Sequence, residues 1–312
     1  MNNNNKTNDI MVTIRCAAYN HEPYIRQCLD GFVIQKTDFK FEAIVHDDAS
    51  TDMTADIIRE YAAKYPDIIK PIYETENQYS KHDGSLTRIF NEHTRGKYIA
   101  ICEGDDYWTD PLKLQKQVDF LESHPDYVIC SHRHKTFIQK KQKFREETLK
   151  GEADYNLNTL INGESHFQTL TILYRQSALN IEEYEKHKVR IDIVLLYELL
   201  KNGGKGHCLA EAMGVYRYHS GGIWSEVPLE KRWDMEFAAI LDVYNCEKSD
   251  DAALFLLMKL AKPISRKWMW KRRKMWIRIS QIFYKHFGFT KTFFILTQKI
   301  ILNKYLSKQT SY

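Results

Sequence analysis

Through residues 10–132 the chain alternates short apolar, β-rich runs with stretches whose apolar residues recur at helical spacing. That alternation restricts the fold more than any other feature. Residues 10–17, 41–46, 68–73, 98–102 and 127–131 read as strands. Between them, Pro23 opens a helix whose apolar side is Ile25, Leu29, Phe32 and Val33. A second helix carries Ile57, Ile58, Tyr61, Ala62 and Tyr65, with caps available from residues 50–52. Asp110 and Pro111 cap and start a third, with Leu114, Val118 and Leu121 inward. Strands separated by helices of this length predict a mostly parallel, doubly wound α/β sheet flanked by helices. Beyond residue 132 the pattern is mixed. A strand is expected at 169–174, and helices at 193–200, 230–244 and 251–260, the first of these ending at Gly203 and Gly204.

A hydrophobic fraction of 43% with 28% charged residues excludes wholesale disorder in the 312-residue chain. No run approaches the roughly 20 apolar residues of a spanning helix. The Asn-rich start, residues 1–8, lacks the apolar core of a secretory leader. The six cysteines contain no CxxC pair, so a zinc site or disulfide framework is not expected; they read as reduced, mostly core thiols. The net charge of +4 hides an asymmetry. Residues 262–312 carry 13 Lys and Arg with no Asp or Glu, against a net −9 for the rest.

Ligands of open α/β sheets bind beyond the carboxyl ends of the strands. Those positions hold Glu22 after the first strand, Asp47, Asp48 and Asp52 after the second, and Glu103, Asp105 and Asp106 after the fourth. Carboxylates so concentrated repel one another and raise each other's pKa values. A divalent cation with hard oxygen ligands, Mg²⁺ or Mn²⁺, relieves that, as do backbone donors. Helix caps and turns are the other use of such residues, above all for Asp48 and Asp52. Neither GxxxxGK[ST] nor GxGxxG occurs, so a nucleoside diphosphate here is expected to be held through a metal.

The segments Ala18-Tyr19-Asn20, residues 44–52 with Asp47-Asp48-Ala49-Ser50-Thr51-Asp52, and residues 98–106 ending Glu103-Gly104-Asp105-Asp106 resemble a family-2 glycosyltransferase with the GT-A fold, over roughly residues 10–225. The stretch from Met213 to Gly222 resembles a segment of bacterial members. The resemblance implies a metal-dependent, inverting transfer of sugar from a nucleoside-diphosphate sugar, with UDP suggested by Tyr19 and Asp47. Ala18, Tyr19, Asn20, Glu22, Asp47, Asp48, Glu103, Asp105, Asp106 and Arg217 are then expected along the donor. Asp105 stands at the metal position of the D-x-D motif. Glu103 replaces its first Asp, and His219 is a third candidate ligand for Mn²⁺ or Mg²⁺. Packing is the competing role for His219 and the favoured one for Arg217. Asp192, at the start of a helix, is the candidate base, with a plain N-cap as its alternative; Glu198 is a poor substitute, inside the same helix. Trp108 and Trp224 read as packing residues, and His132 with His134 as non-metal.

The basic end mixes Trp268, Trp270, Trp276 and several phenylalanines with its cations. That composition suits an interfacial helix on an anionic membrane, with nucleic acid disfavoured by the heavy aliphatic content and packing on the acidic body as a third use. The expected organisation is a disordered 1–9, a catalytic domain 10–225 divided at 132 into nucleotide and acceptor halves, a helical 226–261 and a membrane-associating 262–312. The expected role is extension of a glycan or lipid-linked glycan for a surface polysaccharide, at the cytoplasmic face of the membrane. Transfer to a polyprenyl phosphate, or a catalytically silent sugar-nucleotide or glycan-binding module, are the alternatives.

Overall fold

The computed structural model describes residues 10–146, 149–165, 167–222, 224, 225, 227–260, 277, 281, 282 and 284–288. The chain divides into two compact units: Met1–Asn156 with Phe167–Lys188 and Glu198–Glu226, and Leu157–His166 with Val189–Tyr197 and Val227–Tyr312.

The first unit is built on one curled sheet. Its elements begin with β1 (Val12–Ala18), α1 (Ile25–Val33), β2 (Phe41–Asp47), α2 (Thr54–Lys64), β3 (Ile69–Tyr73), α3 (Ser85–His93) and β4 (Tyr98–Ile101). They continue with β5 (Tyr107–Trp108), α4 (Lys113–Ser123), β6 (Tyr127–Ile138), β7 (Lys143–Phe144) and β8 (Ala153–Tyr155). After α5 (Leu157–Asn162), in the second unit, come β9 (Leu173–Arg175) and α6 (Ile181–Glu185). Helix α7 (Asp192–Leu200) precedes β10 (Lys205–Tyr218). The sheet order is β3-β2-β1-β4-β9-β6-β10-β5, with β7 beside β6 and β8 beside β10. The ladders β1–β2, β1–β4, β2–β3 and β6–β10 are parallel. Ile14, Cys16, Val45 and Ala100 on the strands pack with Leu29 and Phe32 of α1, Ile58 of α2 and Leu114 and Leu121 of α4 in one buried cluster.

The sequence reading needs three corrections in this unit. Helix α3 is not legible in the pattern; only Phe90 of its nine residues is buried, so the apolar period is too thin to read. Residues 169–174 do not form one strand: a 3₁₀ turn at Thr169–Thr171 precedes a short β9, antiparallel to β4 and β6. Strand β6 runs to Ile138 rather than ending at 131, because parallel pairing to β10 carries it through a polar, basic stretch.

The second unit adds α8 (Leu229–Glu247) and α9 (Asp250–Leu260). Phe237, Ile240 and Val243 form the buried side of α8, and Ala252, Phe255 and Leu256 are buried on α9. Tyr197 stacks on Phe255 with ring centroids 5.7 Å apart. All six cysteines are free, five of them buried and Cys246 exposed. No helix among the described residues is long and apolar enough to cross a membrane. The expected membrane-associating segment 262–312 lies outside the described residues except at 277, 281, 282 and 284–288.

Candidate functional site

The carboxyl ends of β1, β2, β4 and β10 meet at one edge of the first unit. The loop after β1 is locked onto the loop after β2. Asn20 donates its backbone N–H to Ser50 Oγ (2.9 Å) and accepts from Thr51 N at Oδ1 (2.8 Å). Glu22 donates its backbone N–H to Asp52 Oδ2 and accepts from Met53 N at Oε2. Asn20 and Ala49 hold positive φ, 54° and 63°, a strained conformation for residues with a Cβ that these hydrogen bonds stabilise.

These contacts separate the acidic residues by what they are free to do. Asp48 spends both carboxylate oxygens on the segment after β3, accepting from Gln78 N (2.6 Å) and Tyr79 N (3.0 Å). Asp52 caps the start of α2 through Thr54 N (2.9 Å). Asp47 differs: it is 3% exposed, Oδ2 accepts from Ser50 N (3.3 Å), and Oδ1 is buried with no partner. An unpaired buried acceptor costs on the order of 1–3 kcal/mol, and a ligand N–H would relieve it. Tyr19, 46% exposed, stands in the loop after β1, the strand beside Asp47's.

After β4 the chain turns through Glu103, Gly104, Asp105 and Asp106 into β5. His219, just past β10, meets Asp105 across this turn, Nε2 to Oδ2 at 2.9 Å, and the Tyr24 ring lies 4.5 Å from the His219 ring. Sequence reasoning missed a second imidazole, His21, whose Nε2 is 4.0 Å from the same Asp105 oxygen. Its signal was its place directly after Tyr19 and Asn20, at a strand end. His21 Nδ1 is buried with no hydrogen-bond partner. Burial lowers the His21 pKa, an effect the Asp105 charge only partly offsets. A Cβ on residue 104 would sit 2.8 Å from His21 Nδ1, so only glycine fits where this ring packs.

Burial opposes ionisation of Asp105, but the hydrogen bond with His219 and the charge of His21 outweigh it and hold the carboxyl below its usual range. Asp106 behaves in the opposite way: burial, then the charges of Asp105 and Glu103, raise its carboxyl well above the usual range. Its Oδ1 accepts from Arg217 N (2.7 Å). Glu103, half-buried, receives the Cys28 thiol at its backbone carbonyl (3.5 Å). The Arg217 guanidinium binds the Asp105 carbonyl (2.8 Å), Gln27 (2.7 Å) and Gln139 (3.1 Å), and lies against Tyr24 and Tyr107. It therefore clasps the Asp105 turn. Asp192, the candidate base, is exposed at the start of α7 and belongs to the second unit. Glu198 is buried against His187 (2.9 Å) and Lys201 (2.8 Å). Trp108 is buried, its indole N–H bonded to the Leu170 carbonyl.

A folded state that holds the Asp106 proton more tightly than the unfolded chain is stabilised at acid pH and loses that contribution as pH rises through the raised value. Asp106→Asn keeps the acceptor for Arg217 N and removes the titration. In EDTA it is expected to raise the urea midpoint at pH 8 over the parent and to leave the midpoint at pH 4 nearly unchanged.

A curled, mostly parallel sheet flanked by helices matches the GT-A fold of nucleotide-diphospho-sugar transferases. The chain belongs to glycosyl transferase family 2, whose sequence model matches residues 13–181. A Mycobacterium tuberculosis protein of unassigned function is 38% identical over 224 residues, covering 71% of this chain and 62% of its own length. The chain thus spans under two thirds of that relative. The putative teichuronic acid biosynthesis glycosyltransferase TuaG of Bacillus subtilis is 26% identical over 233 residues, covering 72% of this chain and 86% of TuaG. Among solved structures, S. aureus TarS 1–349 in complex with UDP-GlcNAc superposes with a TM-score of 0.64 at 17% identity, over 89% of this chain and 82% of TarS 1–349.

Proposed function

We propose that the protein is a metal-dependent, inverting glycosyltransferase that moves a sugar from a UDP-sugar to a hydroxyl of a glycan, lipid-linked, in bacterial surface polysaccharide synthesis. The observation that carries this reading is the pairing, at one sheet edge, of an unpartnered buried Asp47 oxygen with an ionised Asp105 bracketed by two histidines. One free carboxylate oxygen suits the single imide N–H of uracil, whereas cytosine presents a lone pair at that position. Tyr19 offers its exposed ring to the base. TuaG and TarS support the polysaccharide and UDP parts as neighbours of the same fold.

Asp105, His219 and Glu103 fit Mg²⁺ or Mn²⁺, being a hard carboxylate, an imidazole and a second carboxylate. The bound cation would neutralise negative charge on the nucleoside diphosphate. The chain's own residues do the rest. Arg217 fixes the backbone of the Asp105 turn. Asp106, its carboxyl held well above the usual range by burial and by the charges of Asp105 and Glu103, anchors Arg217 N on the other side of the turn. Asp192, at the start of α7, is the proposed base for the acceptor hydroxyl in a single displacement. Residues 10–225 form the catalytic domain, and 262–312 holds the enzyme peripherally on the cytoplasmic side of the membrane.

Thermal unfolding with UDP, GDP, dTDP and CMP, each with Mn²⁺, Mg²⁺ or EDTA, tests the donor class. A ligand at 100 times its Kd adds about 2.7 kcal/mol. UDP is expected to stabilise only with metal. Asp47→Ala is expected to weaken UDP about tenfold, the equivalent of one hydrogen bond to a charged group. Stabilisation by none of the nucleotides would overturn the reading.

A further inference from the structure

Strands β6 and β7 project a hairpin that the donor site does not use. From Lys135 to Arg145 it carries Lys135, Lys140, Lys141, Lys143 and Arg145, with no acidic residue; Glu146 and Glu147 follow immediately. All five cations are exposed, and none has a carboxylate partner among the described residues. Beside them Phe144 is 50% exposed, its ring 5.1 Å from Phe137 and 5.9 Å from Lys135 Nζ. Leu149, just beyond, is also exposed. The hairpin is well made: Phe137 pairs with Phe144, Ile138 with Lys143, and Arg145 N bonds to the Thr136 carbonyl (2.8 Å). It is also tied to the reaction site, because Gln139 at its turn accepts from Arg217, whose Nε holds the Asp105 carbonyl.

Five unpaired like charges on a two-stranded ribbon repel one another, and an anionic surface reverses that cost. The patch has no tryptophan, tyrosine or carboxylate from 135 to 145 to read sugar hydroxyls. Lysines and arginine around a half-exposed phenylalanine match the boundary of an anionic bilayer, where cations meet headgroups and the ring enters the acyl margin. We propose that the β6–β7 hairpin docks on anionic lipid and so presents the donor-site edge to the membrane surface. This attachment is separate from the one proposed for 262–312. It supports a lipid-linked acceptor, but its test needs no turnover and can fail independently of the transferase reading.

The test uses the full chain carrying Cys246→Ser and Phe144→Cys, labelled with an environment-sensitive bimane; the remaining cysteines are buried. With phosphatidylglycerol vesicles the label is expected to shift to the blue, and with phosphatidylcholine vesicles to stay unchanged. In the unlabelled chain, Lys140→Glu with Lys141→Glu is expected to lower the vesicle partition coefficient by about tenfold or more, because two lysines no longer attract the headgroups. Sedimentation with anionic vesicles without a blue shift would assign binding elsewhere in the chain and overturn the proposal. So would absence of sedimentation, or a shift produced by soluble polyphosphate and not by vesicles.

Discussion

Asp105→Asn is expected to lower turnover by roughly a thousandfold or more, about 4 kcal/mol of transition-state stabilisation. The substitution keeps the side chain's size but removes the charge on which two imidazoles converge, at 2.9 and 4.0 Å. It removes the anionic ligand of the proposed cation and, with it, the diphosphate's counter-charge. The measurement is UDP release from each of a panel of UDP-sugars by slow hydrolysis, which needs no acceptor. Circular dichroism of the variant should match the parent, since Arg217 holds this turn through the Asp105 backbone carbonyl rather than its carboxylate. A loss under tenfold would remove Asp105 from the centre of the chemistry.

Lys113→Met is expected to stabilise the protein by about 3 kcal/mol at pH 7. Lys113 is wholly buried on α4, its Nζ has no hydrogen-bond partner, and burial lowers its pKa to about 7. The unfolded chain titrates near 10.5. The folded state therefore binds fewer protons between those values, and stability rises with pH across that window. Below pH 7 the full difference amounts to roughly 5 kcal/mol at 1.36 kcal/mol per pH unit, and at pH 7, where the folded side chain is half protonated, to slightly less. The Trp108 ring, 3.6 Å from Nζ, returns about 1–2 kcal/mol to the charged form. Urea midpoints at pH 7 and 9.5 check both parts: the parent should gain stability over that interval and the variant should not. An unchanged slope would mean that Lys113 reaches water in the folded state.

The sheet was legible because its first four strands and the helices α1, α2 and α4 are each local patterns, with Val45 or Leu29 obeying a period that needs no distant partner. The acidic strand ends were legible for the same reason. What each carboxylate does was not. Asp47 and Asp48 are neighbours in sequence, yet Asp48 is spent on amides about 30 residues away while Asp47 keeps a bare oxygen. The role of Arg217 rests on Gln27, 190 positions earlier. His21 offers only its strand-end position as a signal, because a lone histidine in a loop has no periodicity, and the fold brings it to Asp105. Strand β6 beyond Ser131 is the reverse case: the basic run from His132 to Lys135 reads poorly as a strand, and the pairing to β10 carries it through.

That pairing orders events during synthesis. Asp105 leaves the ribosome 114 residues ahead of His219, an interval of roughly 6–23 s at ordinary elongation rates of about 5–20 residues per second. From the completion of β6 at Ile138 until β10 is made at Lys205–Tyr218, β6 lacks that partner, so a twelve-residue strand edge stands open in the nascent chain. Open edges of that length recruit other strands. Arg133, Lys135 and the turn lysines, spaced along it, are charged gatekeepers against such pairing. A nascent chain stalled before β10 would accordingly resist edge pairing while lacking the His219 that meets Asp105.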